Sequence, residues 1–150
     1  MFSVRRLWHQ RTPHVYGQYR VWSDTCMRVV PMRVLVVDDA VDVASWLAEE
    51  LQLMGAEVRI THDATSALTA IGTFRPTLML IDIALPSMNG WQLARQIRQL
   101  HSPPPRLIAI SALSEPAHRL QSKLAGFEEH LVKPIKLRDL ERVLFSGEAR

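Results

Sequence analysis

The chain has 150 residues, of which 47% are hydrophobic and 22% charged, with a formal net charge of +3 and one cysteine. That balance describes one globular domain with at most a tail, and excludes a disordered or collagen-like chain. No run approaches the roughly 18 apolar residues of a membrane span, and Cys26 alone makes neither an internal disulfide nor a cysteine-based zinc site, which points to a reducing, cytoplasmic setting.

The positive charge belongs to the start of the chain. Residues 1–31 hold Arg5, Arg6, Arg11, Arg20 and Arg28 against Asp24, whereas the remainder carries slightly more acid than base. A DNA-binding domain concentrates basic residues on its folded part, so no direct DNA binding is expected. Arg5 and Arg6 have the pairing of an export signal, but Trp8 to His14 lack the apolar stretch that follows one. Aromatic residues mixed with arginines can stack on single-stranded nucleic acid. No helical or strand period is visible, however, and residues 1–31 are expected to be a basic, disordered extension.

From Met32 onward, strands alternate with amphipathic helices. Arg33–Val37 is a continuous aliphatic run, as in a parallel strand buried on both faces. Ala40–Met54 repeats apolar residues at Val43, Leu47, Leu51 and Met54, a helical spacing that Gly55 stops. Glu57–Thr61 reads as a strand and Ala64–Phe74 as a helix. Thr77–Ile81 is a third strand, followed by a helix over Asn89–Leu100 and a break at Ser102-Pro103-Pro104-Pro105. Leu107–Ile110, Glu115–Ala125, Glu129–Val132 and Lys136–Phe145 complete the alternation. Five such units predict a doubly wound α/β domain over residues 32–150, with helices on both faces of a parallel sheet. In such folds ligands bind beyond the carboxyl ends of the strands.

Those strand ends carry a specific set of side chains. Asp38 and Asp39 follow the first strand, Asp82 the third, Ser111 the fourth, and Lys133-Pro134 the fifth. Crowded carboxylates raise one another's pKa unless a cation intervenes. Hard oxygen ligands in a partly open cluster suit Mg²⁺, which keeps waters and accepts phosphate oxygens. Lys133 is a point charge suited to a phosphoryl oxygen, and a serine opposite can donate to the same group. The pattern is that of a site where an aspartate takes a phosphoryl group.

Residues 32–150 resemble the receiver domain of bacterial two-component response regulators. The resemblance is carried by Val34-Leu35-Val36-Val37-Asp38-Asp39, by Leu80-Ile81-Asp82 through Met88-Asn89-Gly90, by Ile110-Ser111-Ala112 and by Leu131-Val132-Lys133-Pro134. It implies a flavodoxin-like five-stranded sheet of order 2-1-3-4-5. It also implies phosphorylation of Asp82 by a sensor histidine kinase or a histidine phosphotransfer protein, with Mg²⁺ held by Asp39, Asp82 and the Ala84 backbone carbonyl. Asp38 would help through water, Ser111 and Lys133 would contact the phosphoryl oxygens, and Lys133-Pro134 would be cis. Such a chain is a phosphoacceptor regulator rather than an enzyme, although it assists its own phosphorylation and dephosphorylation. Ala84 and Leu113 stand where the family tunes the life of the phosphoryl group.

One departure concerns the switch. Three residues before the lysine the family has tyrosine or phenylalanine, which turns inward with Ser111 on phosphorylation; here the position is His130, whose charge near neutral pH disfavours burial. Read one at a time, Asp38 or Asp39 caps a helix, Trp46 and Trp91 pack on helix faces, and His62, His101 and His118 are solvated. The expected protein is a stand-alone receiver acting on a downstream protein target, with no membrane contact. A piece of a hybrid histidine kinase, a pseudo-receiver, and a flavodoxin-like flavin or nucleotide binder are the alternatives. The last would need a phosphate-cradling loop where Asp38-Asp39-Ala40 stands.

Overall fold

A computed structural model of the chain describes residues 19–22 and 28–146. Strands β1 (Tyr19–Trp22) and β2 (Arg28–Pro31) pair antiparallel, with Tyr19 opposite Pro31 and Trp22 opposite Arg28. Part of the expected extension is thus drawn as strand. The strands are four residues each, and arginines interrupt the aromatic and β-branched residues that favour extended chain, so the sequence shows no alternation. The remainder of residues 1–27 lies outside the described residues.

The main sheet follows. Its strands are β3 (Arg33–Val37), β4 (Glu57–Thr61), β5 (Leu78–Asp82), β6 (Arg106–Ser111) and β7 (Glu129–Val132). They lie parallel in the order β4-β3-β5-β6-β7, which is 2-1-3-4-5 when only this sheet is counted. The helices are α1 (Val41–Leu53), α2 (Ala64–Phe74), α3 (Gly90–Leu100), α4 (Pro116–Ala125) and α5 (Leu137–Ser146). Alternate residues of a strand face opposite sides, so each central strand feeds two cores. Leu35, Val37, Met79 and Ile81 meet Ile71 and Phe74 of α2 and Leu93 and Ile97 of α3. Val34, Val36, Leu78 and Leu80 meet Leu47 and Leu51 of α1 and Leu140 and Leu144 of α5. This two-sided burial is why the central strands read as aliphatic runs without alternation.

Asp82 and Ser111 are the last residues of their strands, which run one residue past the expected ends at Ile81 and Ile110. The parallel register carries on through them, with Asp82 opposite Ile110 and Ser111 opposite Val132. The ladder therefore fixes the backbone of both residues.

Helix starts account for the turns on this side of the sheet. Asn89 and Gln92 form a reciprocal capping box at α3, each side chain accepting from the other's backbone N–H. Asp63 caps α2 by accepting from the Ser66 N–H at 2.7 Å and from its hydroxyl at 2.9 Å. Those bonds, the backbone one foremost, hold the Asp63 carboxyl below its ordinary 3.8. A carboxyl lowered on folding adds stability above its unfolded pKa, and that contribution is lost as pH falls through the folded value. Asp63→Ala should therefore melt below wild type at about pH 7, with the gap closing as pH falls below the ordinary carboxylate range and through the lowered folded value. Thermal melts across that range check it; a gap independent of pH overturns the charged cap.

Candidate functional site

The carboxyl ends of β3 and β5 bring the three predicted acids together. One carboxylate oxygen from each of Asp38, Asp39 and Asp82 lies within 4.8 Å of the others. Asp38 and Asp82 are buried, while Asp39 faces solvent. Lys133, delivered by the turn after β7, reaches Asp38 Oδ2 at 3.1 Å and Asp82 Oδ2 at 3.2 Å. Its contact with Asp82 is a hydrogen bond. The contact with Asp38 is an ion pair outside hydrogen-bond geometry, which leaves that buried oxygen without a donor. The Lys133-Pro134 peptide is cis.

Backbone donors fix both buried acids. Asp38 Oδ1 accepts from the Ala40 N–H at 2.9 Å, and Asp82 Oδ1 from the Ala84 N–H at 3.0 Å. Burial pushes the Asp38 carboxyl up from 3.8; the Ala40 bond opposes that rise, and the neighbouring Asp82 charge adds to it. Burial alone would lower Lys133, but the two carboxylates beside it outweigh that effect and raise it. Two of the three clustered acids are thus buried, and a single ammonium serves both. An oxygen-rich cluster with a buried, donorless carboxylate oxygen and one solvent-facing acid fits a hard divalent cation.

The turn after β5 is strained at Ser87. Ser87 has φ 67°, a left-handed conformation unusual for a residue with a side chain, and Met88 N–H donates to Pro86 O at 2.7 Å. Gly90 then opens α3 so close to β5 that a Cβ there would stand 2.6 Å from the Asp82 carbonyl oxygen. The glycine is required by that approach.

Ser111 is buried, and its Oγ accepts from the Leu113 N–H at 2.9 Å. Its carbonyl accepts from the Lys133 N–H at 2.8 Å, tying the serine and lysine turns together. His130 is buried too, and already faces inward. Nδ1 meets Ser122 Oγ and Nε2 meets the Leu113 carbonyl, each at 2.8 Å, so both ring nitrogens are paired and burial leaves no polar atom unsatisfied. The expectation of a solvated side chain agrees with the exposure of His62, whose Nδ1 also lies 2.8 Å from the Asp38 carbonyl oxygen, and is corrected at His118. His118 is half-buried and stacks on Trp91, with ring centroids 6.0 Å apart. Neither contact has a local sequence signature, since each partner is more than twenty residues away. Trp46 is partly exposed on α1, and Trp91 packs against the α2–α3 core.

The carboxylate cluster and the lysine thus stand at the switch point of an open α/β sheet, where such folds bind their ligands. The comparisons name the family. The profile of the response regulator receiver domain matches residues 34–145, and the chain belongs to that family. It is similar to the response regulator MprA of Mycobacterium avium, 33% identical over 109 residues, which are 73% of this chain and 47% of that protein. It is also similar to the DNA-binding response regulator MtrA of Mycobacterium tuberculosis, 32% identical over 114 residues, covering 76% of this chain and 49% of the relative. Among solved structures, a CheY-like receiver domain protein from Methanospirillum hungatei superposes with a TM-score of 0.70 at 28% identity, over 79% of this chain and 97% of that one. The chain spans about half the length of the curated relatives it matches. Among the described residues no helix is long and apolar enough to cross a membrane.

Proposed function

We propose that residues 32–150 act as the phosphoacceptor unit of a two-component pathway, with Asp82 as the acceptor. The observation that carries this reading is the buried Asp82 carboxylate, held between Lys133 and the Asp38–Asp39 pair at the carboxyl end of the central strand. The donor is a phosphohistidine on a sensor histidine kinase or a histidine phosphotransfer protein. A carboxylate oxygen of Asp82 attacks phosphorus; the new P–O bond forms as the donor's P–N bond breaks, and the departing imidazole keeps the electron pair and takes up a proton. Lys133 pairs with a phosphoryl oxygen and Ser111 donates its hydroxyl proton to another. Asp38, Asp39, Asp82 and the Ala84 carbonyl would hold Mg²⁺, which when bound offsets the negative charge of the carboxylates and the phosphoryl group. The output is a change of shape read by a protein target. Asp38-Asp39-Ala40 offers acid where a flavin or nucleotide phosphate would need a cradle, which disfavours that alternative.

A small phosphodonor such as acetyl phosphate, with Mg²⁺, should add one acid-labile phosphoryl group to the chain. Asp82→Asn should abolish the labelling, and Asp39→Ala should weaken Mg²⁺ binding and slow it. Intact-mass analysis before and after mild acid reads the result. Undiminished labelling of Asp82→Asn overturns the assignment.

A further inference from the structure

A chain of side-chain hydrogen bonds leads from the site to the interior of the α3–α4 pair. Trp91 Nε1 lies 2.9 Å from Ser122 Oγ, Ser122 Oγ lies 2.8 Å from His130 Nδ1, and His130 Nε2 lies 2.8 Å from the Leu113 carbonyl. The directions follow from the chemistry of the ends. An indole N–H only donates and a carbonyl only accepts, so Trp91 donates to Ser122 and His130 Nε2–H donates to Leu113. When the ring is neutral, Nδ1 is left as acceptor and the Ser122 hydroxyl has its single proton for that bond. In that form every donor in the row points the same way, towards Leu113. Leu113 in turn donates its N–H to Ser111 Oγ at 2.9 Å. It is held at both polar groups, by the serine of the site on one side and by the row on the other.

We propose that Ser122 and Trp91 are positioning residues for the Asp82 site. They fix the tautomer and setting of His130, which fixes the Leu113 carbonyl and, through the Leu113 N–H, the Ser111 hydroxyl. The proposal rests on the phosphoacceptor reading above. When Ser111 turns its hydroxyl to a phosphoryl group on Asp82, the Leu113 peptide must follow, and the displacement passes through His130 and Ser122 to the indole. Ser122 and His130 are both buried, so no water can replace a lost partner without the side chains moving. The stacking of Trp91 on His118 holds the far end of the row against α4. Nothing in the spacing of positions 91, 113, 122 and 130 announces this arrangement; they come from two helices, a loop and a strand.

The test uses the ¹⁵N-labelled full chain with Mg²⁺ and beryllofluoride as the phosphoryl mimic. The indole N–H resonance of Trp91, assigned by its loss in Trp91→Phe, should shift on addition of the mimic. In His130→Phe, which keeps a ring but no bond to either partner, that resonance should stop responding while the Ala84 and Ser111 amides still shift. Ser122→Ala should change the phosphoryl lifetime by at least about threefold, the scale of a small misplacement of a reacting group, and Ser122→Thr should restore it. A Trp91 resonance that still responds in His130→Phe, or that is silent in wild type while Ala84 and Ser111 shift, overturns the relay. An unchanged lifetime in Ser122→Ala overturns it as well. Silence of Ala84 and Ser111 too overturns the phosphoacceptor reading, and the role of the relay with it.

Discussion

Gly90→Ala is expected to lower both the stability of the domain and the rate at which Asp82 is labelled. The first turn of α3 sits directly on the end of β5. An added methyl would stand 2.6 Å from the Asp82 carbonyl oxygen and 2.8 Å from Ile83 Cα, both backbone atoms that cannot rotate aside. The Gly90 N–H also donates to the Ile83 carbonyl at 2.9 Å, so the helix cannot back away without breaking a bond. Overpacking of this kind costs about 1–3 kcal/mol. The strain falls on the peptide that carries the acceptor, and a shift of about 1 Å at a reacting group can cost about 100-fold in rate. Gly72 in α2 is the control, because a Cβ there meets nothing within 4 Å. Gly72→Ala should gain about 0.5–1 kcal/mol from helix propensity and leave labelling untouched. Thermal melts with acetyl phosphate labelling measure both variants. If Gly90→Ala behaves like Gly72→Ala, the close approach does not constrain the site.

Lys133→Met should destabilise the chain strongly in a chelator and much less in Mg²⁺. The ammonium lies 3.1 Å from Asp38 and 3.2 Å from Asp82, both buried carboxylates. Removing it leaves like charges facing each other in a site where solvent cannot screen them. Breaking a fully buried pair costs about 3–5 kcal/mol; the Lys133 side chain is 25% exposed, so a loss of about 1–3 kcal/mol is expected. A divalent cation bound to the same oxygens should take over the neutralising role. By mass action, Mg²⁺ at about 100 times its Kd returns about 2.7 kcal/mol. The increase in melting temperature on adding Mg²⁺ should therefore be larger for Lys133→Met than for wild type, while labelling of Asp82 stays slow for want of the phosphoryl contact. Equal increases in the two proteins would show that the lysine and the metal do not share the carboxylates.

Most of the architecture is legible in the sequence, for local reasons. Strands buried on both faces must be aliphatic throughout, as Val34–Val37 and Leu78–Ile81 are, and helices with one buried stripe must repeat at helical spacing, as Val43, Leu47 and Leu51 do. A parallel sheet aligns the carboxyl ends of its strands, so residues at the ends of such runs must meet. Asp38, Asp39, Asp82, Ser111 and Lys133 can therefore be grouped from the sequence by itself. The pairing of Tyr19–Trp22 with Arg28–Pro31 is not legible, because four-residue strands broken by arginine carry no period.

Only the tertiary structure decides how the grouped residues differ from one another. Asp38 and Asp39 are neighbours of the same type, yet one is buried against Lys133 and the other faces solvent: the Asp38 N–H still bonds the Thr61 carbonyl at 3.1 Å at the edge of the sheet, whereas Asp39 lies in the bend that leads to α1. His130 looks ill-suited to burial by its chemistry. It is buried because Ser122 and the Leu113 carbonyl, brought in from α4 and from the loop after β6, pair both its nitrogens. Hydrophobic pattern and strand-end chemistry are written along the chain, residue by residue. Which polar atom finds which partner depends on how separate elements pack, and no single stretch of sequence contains that information.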